Sequence, residues 1–559
     1  MYKSGFILSV MLVLSCAIKS QEKQIVLRQP AEERLAERGE LIIRFMKPGN
    51  LKLDYLTTFL SIDGVKQDTV TAYVNEIGFR QFLAEDIPYE LLQPPSMKEE
   101  VLYPYRDGAN WYNRYPAYAD YLALMDSFAQ ACPGLCRLVE IGKSVQGRKL
   151  LAMKITRNPD IREREPVVLL TSSLHGDEVL GFSLMLRLIE ELLGQYEFDG
   201  VVRRLVDSAE IWINPLANPD GTYFQSENSV IGATRFNSRQ TDLNRDFPDL
   251  QDAEWQDRQR EPETTAMMDF MDDLHLVLAA NIHGGAEVVN YPWDTWSRLH
   301  ADDAWYHDIS RTYADTVHGN GPLGYMTDLD NGVTNGYAWY PVYGGRQDYT
   351  NYFLHAREVT MELSWDKIPP ETSLDDYWNY NKKSLLQYIG QVFTGLTGLV
   401  TDSITGLPVA AMIRILDHDK DNSQVYTDAG TGNFFRLTGS GSVRVEVSAS
   451  GYHTRHATAT VIQGRLTRVD VALSPLPDVT LFPNPFTDLL FVNIHEPGGQ
   501  LMLEFFDLSG RKMYQILHSV EYAGKQEIKT NTLLWGVYLV RLTYRDRLTQ
   551  QSLIKVPDL

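Results

Sequence analysis

Cysteine is nearly absent, with three residues in 559. Cys16 lies in an apolar N-terminal run, which leaves Cys132 and Cys136 flanking Pro133-Gly134. A lone C-x₃-C with no second pair is a poor zinc pattern. The pair leaves two readings open: a small disulfide stapling the turn in an oxidising compartment, or two free thiols. Long apolar runs are missing too. The one from Phe6 to Ile18, preceded by Lys3, is too short to span a bilayer and has the form of a signal peptide. Val13-Leu-Ser-Cys16 resembles a lipoprotein signal, but Leu14 fits that pattern badly, so removal of residues 1–20 by simple cleavage is expected. No other segment is long and apolar enough to cross a membrane, and export of the chain follows. Basic residues are in deficit, 52 Lys and Arg against 73 Asp and Glu, for a net charge of −21. That balance argues against nucleic acid as a partner, supports solubility and favours the approach of basic peptides.

What is present describes a soluble globular chain: 44% hydrophobic and 22% charged residues. Its length calls for about three or four domains. Residues 21–105 read as a small α/β unit, with alternating strands at Glu40–Phe45 and Thr69–Val74 and a helix around Gly78–Ala84. Gln93-Pro-Pro-Ser96 reads as a linker after it. Standing before the central region, this unit suggests a prodomain or folding aid.

From 106 to 394, helical patterns (Tyr118–Cys132, Ser183–Leu193, Pro262–Leu274) alternate with short apolar runs at Val167–Leu170, Ile211–Ile213 and Leu276–Ala279. That alternation predicts an α/β fold whose mixed sheet is covered by helices on both faces. His175 follows the first run, Asn214 the second and His283 the third, so functional groups gather at strand ends. Beyond 395 the pattern changes to short strands and turns, predicting a β-sandwich at 395–476. Within it Asp417-His-Asp-Lys-Asp421 lacks the closing carboxylate of a calcium loop and reads as a solvated hairpin turn. A second β-sandwich is expected at 477–559.

His175-Gly-Asp-Glu178 is the chemical signal. A His and a Glu three residues apart share one face of a helical turn and reach the same ion. With His283 they form a His₂Glu set, which holds a metal by three ligands and leaves a fourth position open. Asn218-Pro-Asp-Gly221, Arg235 and Asp242-Leu-Asn-Arg245 stand between Glu178 and His283. Gly284-Gly285, Asn290-Tyr-Pro-Trp-Asp294, Asn335-Gly-Tyr-Ala-Trp-Tyr340, Gly344-Gly-Arg-Gln-Asp348 and Glu358-Val-Thr-Met-Glu362 follow.

In this order the motifs resemble the zinc metallocarboxypeptidases, specifically the regulatory subfamily with a transthyretin-like β domain behind the catalytic one. A carboxypeptidase is among the known His₂Glu zinc sites, so the link from ligand set to class is precedent rather than derivation. The resemblance implies one zinc per chain on His175, Glu178 and His283, and zinc-activated water with Glu362 as general base. It implies that Asn244 and Arg245 grip the substrate's C-terminal carboxylate, which a planar guanidinium does bidentately. Arg235 matches the arginine at the oxyanion and Tyr340 the tyrosine that closes over substrate. Asp294 matches the acidic floor of the pocket in basic-specific members, with Gln347 lining it. The expected activity is removal of C-terminal Arg or Lys from peptides and proteins. Two departures stand out: Asp246 where Asn is usual, and Trp365 where a Cys is common.

Leu481-Phe-Pro-Asn-Pro-Phe486, Phe506-Asp-Leu-Ser-Gly510, Gly536–Val540 and Ile554-Lys-Val556 resemble the C-terminal sorting domain of the type IX secretion system. That implies passage through the periplasm, engagement of the secretion machinery, and release or anchoring at the cell surface.

Overall fold

The computed structural model describes residues 30–97, 111–251, 258–475, 479–494, 498–544 and 547–557; the signal-peptide expectation at 1–20 lies outside them. An eight-stranded mixed sheet organises the central region. Its order is Val333–Asn335, Ala286–Tyr291, Arg357–Ser364, Leu276–His283, Val167–Ser172, Glu210–Asn214, Lys149–Ile155, Cys136–Lys143. The four middle strands, from Arg357–Ser364 to Glu210–Asn214, run parallel. Antiparallel strands complete both sides, and a short parallel strand closes the first edge.

Side-chain alternation explains why helices cover both faces. Val168, Leu170, Ile211, Ile213, Leu278, Ala280 and Ile282 enter one core, while Val167, Leu169, Trp212, Leu276 and Ala279 enter another. Successive residues of a strand point to opposite faces, and here both faces are apolar, so each needs a cover. Helices Leu180–Gly194, Gly200–Ser208, Asp303–His318 and Leu374–Ile389 supply the first; Pro262–Asp273 and Arg346–Tyr352 supply the second. Leu180–Gly194 is almost wholly buried, as its apolar sequence requires.

The N-terminal unit is a four-stranded antiparallel sheet, ordered Ser61–Lys66, Thr69–Val74, Leu41–Met46, Tyr89–Leu91, with helix Glu76–Ala84 packed against it. Asn75 caps that helix through the Gly78 amide. Two strands escaped the sequence reading. Ser61–Lys66 carries Asp63-Gly64 in its middle, and the register shifts between Ile62 and Gly64, so Asp63 sits at a β-bulge. A bulge re-aims the side chain it carries, and Asp63 points into the central region.

The sandwich after the central sheet pairs Gly395–Asp402 with Asn433–Leu437 and Leu466–Arg468 in one layer, and Met412–Ile415 with Gly441–Ser448 and Arg455–Val461 in the other. A further two-layer β unit spans Val479–Lys555 around its own core. The Asp417–Asp421 segment is more than a solvated turn. Asp419 is buried and pairs with Arg436, and His418 reaches Asp302 of the central region at 2.7 Å. Asp302 also meets Arg436 at 3.0 Å and Arg357 at 2.8 Å. A buried carboxylate tolerates its site only when cations answer it, and this cluster locks the sandwich to the central region. Cys132 and Cys136 are free thiols. No helix among the described residues is long and apolar enough to cross a membrane.

Asp302→Asn keeps the shape and strands two buried guanidinium groups, so a loss of about 3–5 kcal/mol is expected. Burial alone would raise the Asp302 carboxyl; Arg436 and Arg357 outweigh it and hold it well below its ordinary range. A depressed carboxyl contributes its stability above its unfolded value and loses it only as the pH falls through the folded one. Urea unfolding should therefore give the same wild-type-to-variant difference at about pH 7 and pH 5, with convergence only below about pH 4. A difference under about 1 kcal/mol at pH 7, the worth of a surface pair, would rule out the locking role.

Candidate active site

Strand register assembles the site. Glu362 pairs directly with His283, and Ser172 lies beside Ile282, so the turn after Ser172 brings His175 and Glu178 to the same sheet end. Ser173 adopts a left-handed φ of 54° there and ties the turn by a hydrogen bond to the Glu178 carbonyl, 3.0 Å. Gly176 is required by contact: a Cβ would meet the Gly221 backbone at 2.4 Å.

His175, Glu178 and His283 are buried, each offering one donor atom within 4.8 Å of the others. Nδ1 of His175 lies 3.0 Å from Glu178 Oε1, and Nδ1 of His283 lies 2.7 Å from Glu178 Oε2. Two imidazole nitrogens and one carboxylate oxygen, converging with a side left open, are a donor set suited to zinc. Among the described residues no other His, Cys, Asp or Glu group meets this criterion. Asp242 holds the far nitrogen of His175 at 3.2 Å. Burial pushes His283 down to about 4, so the ring is neutral and its lone pair available at neutral pH.

Glu178 would be raised by burial, but His175, Lys367 and His283 hold it well below the ordinary carboxyl range. Lys367 Nζ stands 2.6 Å from Glu178 Oε1, and Arg235 Nη1 stands 3.5 Å from the same oxygen. Glu362 goes the other way: burial, then the Glu178 charge, raise it well above the usual range. Its Oε2 is buried without a hydrogen-bond partner.

Asn244, Arg245, Arg235, Asp294, Tyr340 and Glu362 line one cavity with the His₂Glu group. The Arg346 amide fixes Asn244 by donating to its side-chain oxygen at 3.0 Å. Asp294 is buried and accepts from Gln347 Nε2 at 2.9 Å and Asn290 Nδ2 at 3.1 Å. Asp348 receives the backbone amides of Asp294 and Thr295. Burial and the Asp348 charge raise Asp294 well above its ordinary range. Gly336 is indispensable beside it, since a Cβ would fall 1.7 Å from Asp294 Oδ1. Asp246, the departure noted above, receives Arg258 at 2.8 Å and the Glu261 amide. Trp365 is exposed, its indole donating to Asp328.

All ten site residues expected from sequence come together, Gln347 through its bond to Asp294. Sequence reasoning missed Lys367 and the N-terminal contribution. Asp63 Oδ1 lies 2.7 Å from Lys367 Nζ and 3.2 Å from Arg235 Nη1. Ser61 hydrogen-bonds Asp242 and Arg235. Tyr73 donates to Asp177 at 2.5 Å and lies beneath both cations. Tyr340 packs against the core of the N-terminal unit. Nothing in the Ser-Ile-Asp-Gly pattern flags Asp63 without the bulge.

A zinc carboxypeptidase family model matches residues 121–384, and a secretion system C-terminal sorting domain model matches 480–556. Carboxypeptidase M of Mus musculus is 34% identical over 357 residues, covering 61% of this chain and 80% of that protein. The carboxypeptidase N catalytic chain of Homo sapiens is 33% identical over 390 residues, covering 62% and 83%. Carboxypeptidase D of Homo sapiens is 37% identical over 346 residues, covering 58% of this chain but 24% of that protein. The match thus spans about a quarter of carboxypeptidase D. The chain belongs to the zinc carboxypeptidase family, and its C-terminal segment is a secretion-system sorting domain.

Proposed function

We propose that the chain is an exported zinc carboxypeptidase that removes C-terminal Arg or Lys from peptides and proteins. The observation that carries this is the convergence of the His₂Glu group, the unpartnered Glu362 carboxyl and the buried Asp294 on one cavity. Zinc, when bound by His175, Glu178 and His283, supplies a Lewis acid that polarises the scissile carbonyl and acidifies water. Glu362 takes the proton and returns it to the leaving amine as general base and then general acid, in surroundings whose burial and Glu178 charge raise its carboxyl well above the usual range. Arg235 donates to the developing oxyanion. Asn244 and Arg245 grip the terminal carboxylate, which confines cleavage to the last residue. Tyr340 closes over the bound end. Asp294 answers a guanidinium or ammonium at the pocket floor and rejects apolar side chains, which would leave its carboxyl unpaired.

The sorting domain supports export by the type IX machinery to the medium or the cell surface. We read 21–105 as prodomain-like, 106–394 as catalytic, 395–476 as transthyretin-like and 477–559 as the sorting domain. The Asp63 contacts support a capping role for the first of these. The site cavity is only about 30 Å³ with the unit docked, room for a water or two but not an arginine side chain.

Five measurements test these readings. On peptides ending in Arg, Lys, Leu, Phe or Glu, purified protein should prefer the basic pair. Glu362→Gln should lower kcat by about 10²–10⁴-fold. Asp294→Leu should lower kcat/KM for Arg ends at least about 30-fold, the factor set by about 2 kcal/mol for a lost charge partner; preference of the wild type for Leu or Phe would sink the pocket assignment. For the cap, Asp63→Ala should raise kcat/KM by about tenfold, equivalent to 1.4 kcal/mol, and an unchanged or lower value would remove it. For export, truncation after residue 476 should hold the protein in the periplasm, and undiminished secretion would exclude the sorting role.

A further inference from the structure

Behind the metal group runs a buried chain of polar side chains that no step of the proposed reaction uses. His283 turns Nδ1 toward His175 and Glu178, and its other nitrogen, Nε2, lies 2.7 Å from the Asn281 side-chain amide. The opposite atom of that amide meets Thr171 Oγ1 at 3.0 Å. Arg346 donates through Nη1 to the Thr171 hydroxyl and through Nη2 to Glu358 Oε2 at 3.0 Å. Glu358 also receives Thr350 at 2.9 Å. Asn281, Thr171, Arg346 and Glu358 are each no more than 1% exposed.

Such an arrangement is costly unless it does something directional. A buried Arg-Glu pair is often no more stabilising than apolar residues of equal volume, and the site between two apolar cores would accept such residues. The chemistry of each link points to its purpose. A guanidinium only donates, so Thr171 always accepts from Arg346 and keeps one further lone pair and one proton. An amide offers an acceptor on one side and a donor on the other, and its two ends exchange by rotation. Asn281 therefore serves His283 Nε2 whichever role that nitrogen takes, and Thr171 follows by donating or accepting. When Nδ1 serves as a metal ligand the ring's proton lies on Nε2. The Asn281 amide, whose nitrogen faces Nε2 and whose oxygen faces Thr171 here, receives that proton after rotation about its side-chain bond, its nitrogen then donating to Thr171.

Resting on the reading of His283 as a zinc ligand, we infer that Asn281, backed by Thr171 and the Arg346–Glu358 pair, is a positioning residue that fixes the His283 ring through Nε2 and reserves Nδ1 for the metal. Partners of this kind typically change metal affinity by about 10–100-fold when removed.

The test is zinc affinity of the full chain, measured by competition with a chromophoric chelator, alongside the thermal midpoint of the metal-free protein. Asn281→Leu fills the space without a polar partner and should weaken zinc binding by about 10–100-fold. Asn281→Asp restores an acceptor opposite Nε2 and should recover most of that loss, a rescue that packing alone does not predict. Thr171→Val should weaken binding in the same direction, and Thr171→Ser, which keeps the hydroxyl, should stay near wild type. The Thr171 pair decides the matter if Asn281→Leu fails to fold. Wild-type affinity in Asn281→Leu or Thr171→Val, or equal loss in Leu and Asp variants, overturns the inference. A wild-type chain that takes up no zinc overturns the metal site itself, and the positioning role with it.

Discussion

A single carboxylate, that of Glu178, sets the terms for its surroundings. It is held charged where water does not reach, and an unanswered charge at such depth would neutralise or unfold the segment around it. His175, His283, Lys367, Arg235 and the Gly284 amide all converge on its two oxygens. Each partner then needs its own answer. Asp242 serves both His175 and Arg235, and Asp63 serves both Arg235 and Lys367. The cluster is a network of shared partners in which geometry is over-determined, the condition a catalytic constellation needs to stay within a fraction of an ångström of its working form.

The same solution recurs between folding units. Asp302 in the central region and Arg436 in the sandwich are both buried; each has an ion-pair partner in its own unit, Arg357 and Asp419, and the two meet each other across the junction. The N-terminal unit docks likewise: Glu40 accepts the backbone amides of Arg235 and Phe236 while Asp63 reaches the Arg235 side chain. Both attachments converge on or near strands that carry site residues, Arg357 being five positions before Glu362 on one strand. The sandwich can therefore steady the central sheet from outside its cleft, whereas the N-terminal unit reaches the cavity itself through Asp63.

Patterns that depend on one strand or one helix were legible in the sequence. Continuous apolar runs at Val167–Leu170 and Leu276–Ala279 located central strands, and the helical pattern at Ser183–Leu193 located a buried helix. Motif order picked out the His₂Glu group and the residues that line its cavity, because those residues sit in or beside segments with strong local signatures. What escaped depends on pairing between distant segments. The Ser61–Lys66 strand is broken by Asp63-Gly64, which suppresses its periodicity, and the bulge that aims Asp63 exists only against Thr69–Val74. Asp417–Asp421 looked solvated because its partners stand in other elements, Asp302 at 116 positions from His418 and Arg436 at 17 from Asp419. Lys367 is an ordinary surface residue by composition, and only the fold turns it onto Glu178.

On the proposed preference for basic ends, burial and specificity at Asp294 are one property. Asp294 sits between Gln347 and Asn290, which both donate to a single oxygen, with Asp348 close behind its backbone. Two amide donors are too few to hold a carboxylate charged at that depth, which is why its proton is retained more readily than in water. A guanidinium or ammonium entering the pocket supplies the missing charge and lowers that pKa again. Under the proposed specificity, part of the binding energy of a basic side chain would be release of the strain in an under-satisfied acid, which an apolar side chain has no means of providing. Adding further fixed donors around Asp294 would stabilise the free chain and weaken discrimination by the same amount, because specificity is a difference between bound ends. Gly336 leaves room for that acid, since a Cβ there would fall 1.7 Å from Asp294 Oδ1.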